Sequence, residues 1–308
     1  MNSYIIDIYP QSETYINYLW RSVQGFSRFS KYTGNGNATG PSIDCGWEPQ
    51  WVLIKRVDGF ENWFLWDSMR GIVSGGNDAR LIPNSNGAEN DTTDRIDLTS
   101  RGFQPKSVSG EVNASGGKYV YIAIRRPDGY VGKPAEVGTD VFAMDTGDAT
   151  TDIPNYDSNF VVDFALARQP GSAENWGSHA RLTGTEYLNP NATSAETDYE
   201  HYTWDSNVGW AKGGYPSSYM SWMLKRHAGF DVVTWEGNSV VGRRMPHSLS
   251  KTPEMFWVKR RNGTNGWQVF HKGLNGGTNP QNWSLSLHTN AAENGVETWQ
   301  YTAPTSTH

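Results

Sequence analysis

A hairpin-like pattern that recurs along the chain restricts this sequence to a repetitive β fold. Its first copy, residues 50–67, places an apolar β-branched and aromatic run and two basic residues before a turn and a second aromatic run. A second copy occupies residues 254–271, and a degenerate third copy occupies residues 160–176. Two such runs on either side of a turn predict a β-hairpin. We therefore expect the chain to be built from repeated β units.

A second recurring segment gives the length of the repeat. Aromatic runs that end in basic residues begin at Tyr15, Tyr119 and Tyr219, which gives a period of about a hundred residues and indicates duplicated domains. Residues 25–36 and 229–238 share an alternating pattern followed by a glycine-asparagine turn, which predicts the opening strand of a repeat. Short strands, frequent turns and no sustained helical period favour an all-β chain of tandem β-sandwich or jelly-roll domains.

The repeat divides the 308 residues into four segments. We predict that residues 1–24 are the exit strand of a preceding repeat or an N-terminal arm. Residues 25–126 form the first sandwich, residues 127–226 a divergent second one, and residues 227–308 a third that lacks its exit strand. Either the two ends of the chain pair in an unusual way, or the chain is a piece of a longer array, which is the interpretation we prefer. Strand edges left open must be covered by a neighbour or act as an assembly surface.

Charge and cysteine content argue against several classes of partner. The net charge is -6 and no basic block stands out, which disfavours nucleic acid and other polyanions. No apolar window reaches the length of a membrane span, and the N-terminus lacks the pattern of a secretion signal. The single cysteine, Cys45, excludes an intrachain disulfide, and we predict that it is a small buried residue.

The sequence resembles a domain of unknown biochemical function that recurs in long proteins of tailed phages, especially phages of marine bacteria. The likeness rests on GFSRFSKYTGNGNATGP, WEPQWVLIKR, NWFLWDSMRG, LIPNSNGAEN and NASGGKYVYIAI, and on a variant set, AGFDVVTWEGN, KTPEMFWVKRR and NGWQVFHKGLNGG. It covers residues 25–126 and 228–308 well, and the middle copy only by its hairpin and exit strand. The resemblance implies a concanavalin-like or jelly-roll sandwich in a virion structural protein, and no established chemistry.

One acidic loop is a candidate cation site. Asp140, Asp145, Asp148 and Asp152 surround a Thr-Gly pair and offer oxygen ligands suited to calcium. Their spacing does not follow an EF-hand loop, and the same residue types are typical of a surface turn. No histidine pair, catalytic carboxylate pair or phosphate-binding glycine loop is evident. We expect no cofactor, and calcium is the one candidate ion.

Aromatic residues near turns are candidates for contact with a partner. Most strand tryptophans are expected to fill cores, whereas Trp210, Tyr215 and Trp299 are expected to be exposed and able to dock on another subunit or to stack on a sugar ring. Basic residues recur at strand ends, as in Lys225-Arg226 and 259–261. A repeated structural role explains them better than ligand binding, and they can form charged contacts between stacked repeats.

These features together favour a non-enzymatic structural protein on the surface of a phage virion. The expected forms are a tail fibre, a spike or a capsid-associated fibre or decoration, with other virion proteins as partners. Because phage fibres are often homotrimers, we expect a homo-oligomer by analogy, with a trimer as the first candidate. A lectin-like module that recognises host-surface glycan is the alternative from a different class, and a polysaccharide depolymerase is the least favoured.

Overall fold

The computed structural model describes residues 18–125, 135, 137–148, 153–213, 217–295, 299 and 302–308. The regular secondary structure of the described chain is almost entirely short antiparallel strands, arranged in five sheets. Short 3₁₀ helices connect some of them, at Gly138–Asp140, Arg181–Thr183, Leu274–Gly277 and Pro280–Asn282. Among the described residues, no helix has both the length and the apolar character needed to cross a bilayer. The predicted all-β, tandem-sandwich fold is confirmed.

The first β unit, here unit 1, is a two-layer sandwich. Its strands are β1 (Ser27–Thr33), β2 (Ile43–Asp44), β3 (Trp51–Arg56), β4 (Trp63–Asp67), β5 (Arg80–Leu81), β6 (Ile96–Thr99), β7 (Gly102–Pro105) and β8 (Lys118–Ile124). The larger sheet has the order β1-β8-β3-β4-β5, and the smaller one has the order β2-β7-β6. The predicted hairpin is β3 and β4, which pair from Trp51 opposite Asp67 to Lys55 opposite Trp63.

Alternating side chains of the two sheets form the core of unit 1. On β3, Val52 and Ile54 are fully buried while their neighbours are partly exposed, as the two-residue period of a strand requires. The smaller sheet contributes Ile96 and Phe103, both 0% exposed, to the same apolar cluster. Each buried side chain of this size stabilises the fold by roughly 1.5–3 kcal/mol relative to full exposure.

Unit 2 repeats this topology with a different sequence. Its strands are β9 (Phe142–Thr146), β10 (Tyr156–Asp157), β11 (Phe164–Arg168), β12 (Gly177–Ala180), β13 (Glu186–Leu188), β14 (Thr197–Asp198), β15 (Tyr202–Thr203), β16 (Gly209–Lys212) and β17 (Met220–Leu224). The sheets have the orders β14-β13-β12-β11-β17-β9 and β10-β16-β15. In both units the last strand therefore lies between the first strand and the hairpin, so the divergent middle copy keeps the architecture of the first.

A shared glycine position supports the equivalence of the two sandwiches. Gly102 in β7 lies opposite Asp44, and a Cβ there would come within 1.8 Å of the Ile43 carbonyl oxygen. Gly209 in β16 lies opposite Asp157, and a Cβ there would come within 2.1 Å of the carbonyl oxygen of Tyr156. Both small sheets thus need a residue without a side chain where two strands approach closely.

Unit 3 contains one described sheet. Its strands are β18 (Met255–Val258), β19 (Gln268–His271), β20 (Trp283–Ser286) and β21 (Asn294–Gly295), in the order β18-β19-β20-β21. The second predicted hairpin, β18 and β19, is present. β18 corresponds to β3 in sequence, yet it lies at the end of its sheet, where no described strand occupies the place that β8 has beside β3.

The predicted opening strand of the third repeat is wrong. Residues 231–238 form no strand, although the matching pattern in unit 1 forms β1. β1 is held by pairing along its whole length with β8, and among the described residues unit 3 offers no counterpart of β8. The segment instead contacts unit 1, where Val232 packs against the apolar core.

Candidate functional site

The three units meet at one buried arginine. Arg226 follows β17, and its Nη1 atom lies 2.5 Å from Oε1 of Glu48 in unit 1. Its Nε atom lies 2.7 Å from Oδ1 of Asp231 in unit 3, and its backbone N–H donates to Oδ2 of Asp163 in unit 2 at 2.7 Å. One residue therefore contacts a carboxylate from each of the three units.

This charged junction is closely packed and shielded from water. The side chains of Arg226 and Asp231 are 2% and 3% exposed, and the cavity that Arg226 and Glu48 line has a volume of only about 10 Å³. Burial alone would lower the pKa of Arg226, but Glu48 and Asp231 raise it above its ordinary value. Because buried charges are tolerated only when paired and hydrogen-bonded, the junction favours one relative placement of the units.

A second three-way junction lies at Ser74, in the loop after β4. Its backbone N–H donates to the Leu182 carbonyl of unit 2 at 3.0 Å, and its hydroxyl accepts a bond of 2.6 Å from Thr234 of unit 3. Arg261 of unit 3 donates to the Ser74 carbonyl at 2.6 Å and, through Nε, to Glu196 of unit 2 at 2.6 Å. Arg261 therefore contacts both other units at once.

Apolar and polar contacts extend these junctions. Leu182 of unit 2 belongs to the core cluster of unit 1, and Phe164 of unit 2 lies 5.5 Å from Phe230 of unit 3 between ring centroids. Trp267 of unit 3 donates from its indole nitrogen to the Asn189 carbonyl of unit 2 at 3.0 Å. The three units thus share packing, hydrogen bonds and ion pairs, and the arrangement can act as one body.

The predicted role of the basic strand ends is confirmed for two of them. Arg226 and Arg261 form charged contacts between units. Arg56, at the end of β3, instead pairs with Asp58 in the turn of its own hairpin at 2.9 Å. The recurring basic pattern therefore indicates the end of a strand. Which of these basic residues contacts another unit depends on where the neighbouring unit lies.

The prediction that Trp210 is exposed is wrong. Trp210 lies in β16, is 0% exposed, and donates from its indole nitrogen to the Ser221 hydroxyl at 2.9 Å. Its ring stacks between those of Tyr156 and Trp204, at 5.4 Å and 5.1 Å between centroids. A side chain in this position fills the core of unit 2 and offers no face to a sugar or partner.

The other two candidate aromatic residues have different positions. Trp299 is partly buried in unit 3, where its ring meets Phe256 edge to face at 4.9 Å and its indole nitrogen donates to the Trp283 carbonyl at 2.9 Å. The indole N–H and part of the ring of Trp299 are therefore engaged in contacts within unit 3. Tyr215 lies outside the described residues, so its prediction stays untested.

The acidic loop is only partly within the described structure. Asp140 ends a 3₁₀ helix and is exposed, and Asp145 in β9 accepts a bond of 2.8 Å from the Asp157 backbone N–H. Asp148 is exposed, and Asp152 lies outside the described residues. No cluster of three or more His, Cys, Asp or Glu side chains arranged for a metal occurs in the part of the chain that the structure describes. The calcium site stays a prediction.

Cys45 is buried, as predicted, with 4% of its surface exposed. Burial raises the pKa of its thiol to about 11, with smaller opposing contributions from Tyr121 and Arg28. Because the thiolate is the nucleophilic form, this thiol is poorly suited to chemistry at neutral pH. The residue serves the packing of unit 1.

Sequence reasoning missed the partners of the two bridging arginines. Glu48 is 178 positions from Arg226, and Ser74 is 187 positions from Arg261. Glu48 lies in the WEPQWVLIKR segment, but nothing in that segment indicates a distant arginine, and Ser74 belongs to no recognised motif. The one sequence feature that points to the acidic partners of Arg226 is their place next to repeated aromatic residues. Glu48 follows Trp47 before the first hairpin, and Asp231 follows Phe230 in the third repeat.

The fold and the junctions define a multi-unit all-β protein whose repeats are joined by buried contacts. The sequence profile of a domain of unknown function (DUF7483) matches residues 6–126 and 184–308. The chain belongs to this family. The second match begins inside unit 2, just before β13. No curated protein and no solved structure matches the chain.

Proposed function

We propose that this protein is a non-enzymatic structural component of a phage virion, in a tail fibre, a spike or a capsid-associated fibre or decoration. It acts through protein–protein assembly and surface display, with other virion proteins and further copies of itself as partners. The observation that carries the proposal is the pair of three-way junctions at Arg226 and Ser74. They suit a chain that must hold repeated units in a fixed arrangement.

The type of contact also supports a mechanical role. Flexible tandem domains usually meet through small polar interfaces and move relative to each other. Here the guanidinium of Arg226 is buried against carboxylates from two other units, and moving the units apart would break both ion pairs at once. A stiff spacer or decoration needs this kind of coupling between its units.

The exposed apolar side chains give the array surfaces for assembly. Phe60 at the tip of the first hairpin is fully exposed, and Leu19 in the N-terminal segment is 82% exposed. In unit 3, Met255 and Trp257 of β18 are 47% and 38% exposed. Met255 and Trp257 lie on the same face of β18, and large apolar side chains that cluster on a surface are typical of protein contact sites.

The lectin-like alternative is the second proposal, and it now rests on fewer residues. Trp210 is buried, and Trp299 packs within unit 3. The direct test is a glycan array probed with the assembled protein, since multivalency would strengthen weak sites. Specific binding that an exposed-loop variant abolishes would support host recognition, and no signal would contradict it.

Quantitative mass spectrometry of purified particles tests the structural proposal. We expect the chain in particles of the phage that encodes it, at a fixed ratio to the major capsid or tail proteins, and retained after a high-salt wash. Its presence only in the lysate of infected cells, with none in washed particles, would contradict the proposal.

A further inference from the structure

The free edge of β18 is the strongest unassigned interaction site in the described chain. In unit 1, β3 is paired on both sides, with β4 on one and β8 on the other. In unit 2, β11 is paired in the same way with β12 and β17. Among the described strands, β18 pairs only with β19 and ends its sheet. Unpaired backbone N–H and C=O groups along such an edge can accept another strand.

The side chains of β18 show that this edge is incompletely covered. Val52 and Ile54 of β3 are fully buried, whereas their sequence counterparts Phe256 and Val258 are only partly buried. Met255 and Trp257, on the other face of β18, are exposed by 47% and 38%. The apolar residues that a neighbouring strand covers in unit 1 are thus accessible in unit 3.

The chain also contains a segment with the sequence of the strand that fits this edge. Residues 15–21, YINYLWR, follow the pattern of residues 119–125, which include most of β8, and of residues 219–225, which include β17. Both of those strands occupy the equivalent edge in their own units. Within the described part of the segment, Tyr18, Leu19 and Trp20 are 68%, 82% and 69% exposed.

We infer that the free edge of β18 binds residues 18–21 of a second copy of this chain as an added antiparallel strand. The exposed aromatic segment of one copy completes the third β unit of the next, so copies join head to tail. The inference deepens the assembly function proposed above and rests on it. Addition of a strand to an open sheet edge is an established mode of protein association.

The register follows from unit 1. There Trp51, Val52 and Leu53 lie opposite Ile124, Ala123 and Ile122. Transferred by sequence, this register places Trp20 opposite Met255, Leu19 opposite Phe256 and Tyr18 opposite Trp257.

Packing and charge are both suitable in that register. Leu19 comes to the same face as Phe256, which already stacks on Phe270 at 4.8 Å and meets Trp299 at 4.9 Å. Arg21 comes beside Glu254, which lies just before β18, is 69% exposed and already pairs with Lys272 at 2.5 Å.

Disulfide trapping between two single-cysteine variants tests the register. Chains carrying Tyr18→Cys and Trp257→Cys are mixed under a glutathione redox buffer and followed on non-reducing gels, with the linked peptides identified by mass spectrometry. Directly opposite residues lie within disulfide range, whereas a diagonal pair lies beyond it. We expect this pair to cross-link at least about tenfold faster than the register control, Tyr18→Cys with Met255→Cys. Cys45 is buried and does not compete.

Sedimentation velocity of the 308-residue chain tests the association itself. The wild type is expected to form dimers and longer species, and Leu19→Asp is expected to remain a monomer. Because Leu19 is 82% exposed in the single chain, this substitution leaves the folded units intact. Circular dichroism and thermal unfolding of the variant confirm that its fold is unchanged.

Four outcomes would overturn the inference. Three of them are a wild type that is monomeric at about 100 μM, well above the dissociation constant of a stable complex, a Leu19→Asp variant that associates as the wild type does, and a register control that cross-links equally fast. A monomer with both cysteines that closes an intramolecular disulfide would also contradict a second copy as the donor. The proposed function is tested by a different result, the presence of the chain in washed particles. Failure of the strand-addition inference therefore leaves the proposed function standing.

Discussion

At the scale of single residues, two ionisable side chains, Arg226 and His179, are almost completely buried. Arg226 is 2% exposed and depends on Glu48 and Asp231 for compensation. His179 in β12 is 1% exposed and lies among aromatic rings, with Tyr202 at 4.5 Å and Trp210 at 5.0 Å between centroids. The two residues predict different responses to mutation and to pH.

Replacement of Arg226 by Met should strongly destabilise the protein. The substitution leaves the carboxylates of Glu48 and Asp231 buried without their cation, and loss of one partner of a buried pair typically costs about 3–5 kcal/mol. The matched control is Arg101→Met, which breaks the pair with Asp44 whose side chains are 58% and 59% exposed, and should cost about 1 kcal/mol or less. Chemical denaturation measures both, and equal losses would contradict a buried junction.

Replacement of His179 by Phe should make stability less sensitive to acid. Burial, with a smaller contribution from the Lys212 charge, holds the pKa of His179 well below its ordinary value. Below about pH 6.5 the unfolded state therefore binds a proton that the folded state does not, and stability falls by up to about 1.4 kcal/mol per pH unit. The free energy of unfolding of His179→Phe minus that of the wild type should therefore increase as the pH falls from 7 to 5.

The control for this effect is His201→Phe, at a side chain that is 54% exposed. Thermal unfolding at several pH values measures the wild type and both variants. If the difference in stability between His179→Phe and the wild type stays constant from pH 7 to 5, burial does not hold His179 neutral.

At the scale of elements, the described structure assigns different tasks to strands and to loops. In units 1 and 2, strands form one large and one small sheet with matching strand orders, and these two sheets make up each sandwich. The loops and the segments between units carry the junctions, as the contacts of Ser74 with Leu182, Thr234 and Arg261 show. Much of the polar coupling between units therefore depends on a few loop residues.

Replacement of Arg261 by Ala should weaken the coupling of unit 3 to the other two units. The change removes charge-assisted hydrogen bonds to the Ser74 carbonyl and to Glu196, each of which contributes about 1.5–3 kcal/mol. Scanning calorimetry should show one transition for the wild type and an additional transition at lower temperature for the variant. The control is Arg260→Ala, at an exposed position that bonds to Asn262. An unchanged single transition in Arg261→Ala would contradict the coupling.

Local sequence predicted the hairpins and the sandwich class because strand periodicity and turn chemistry act over a few residues. β3 with β4 and β18 with β19 were both found in this way. The exposure of Trp210 was mispredicted because the turn signals around it say nothing about which face of β16 meets the second sheet. Residues 231–238 were mispredicted because strand formation there depends on a neighbouring strand.

The junctions were predicted only in part, since their partners are distant in sequence. The sequence shows basic residues at the ends of several strands and predicts a structural role for them. The carboxylate that meets it, Glu48 for Arg226, is fixed by the docking of whole units. No short motif encodes such a pairing, and it becomes evident only when the units are placed against each other.

At the scale of the whole molecule, the array combines strong internal junctions with an open strand edge. Units 1 and 2 are closed sandwiches with their own cores, and unit 3 is held to them through Arg261 and Thr234. The free edge of β18 lies in this third unit. Such an arrangement suits a stiff module that extends an assembly, which is the role we propose within a virion.

Cryo-electron microscopy of whole particles tests this central claim most directly. The account predicts density for the three β units as one body, on the capsid lattice or along a fibre shaft, with its sheets and strand edges packed against neighbouring chains. Density confined to a distal tip with free loops would contradict the structural role and favour host recognition. Particles with no density for the chain would contradict both.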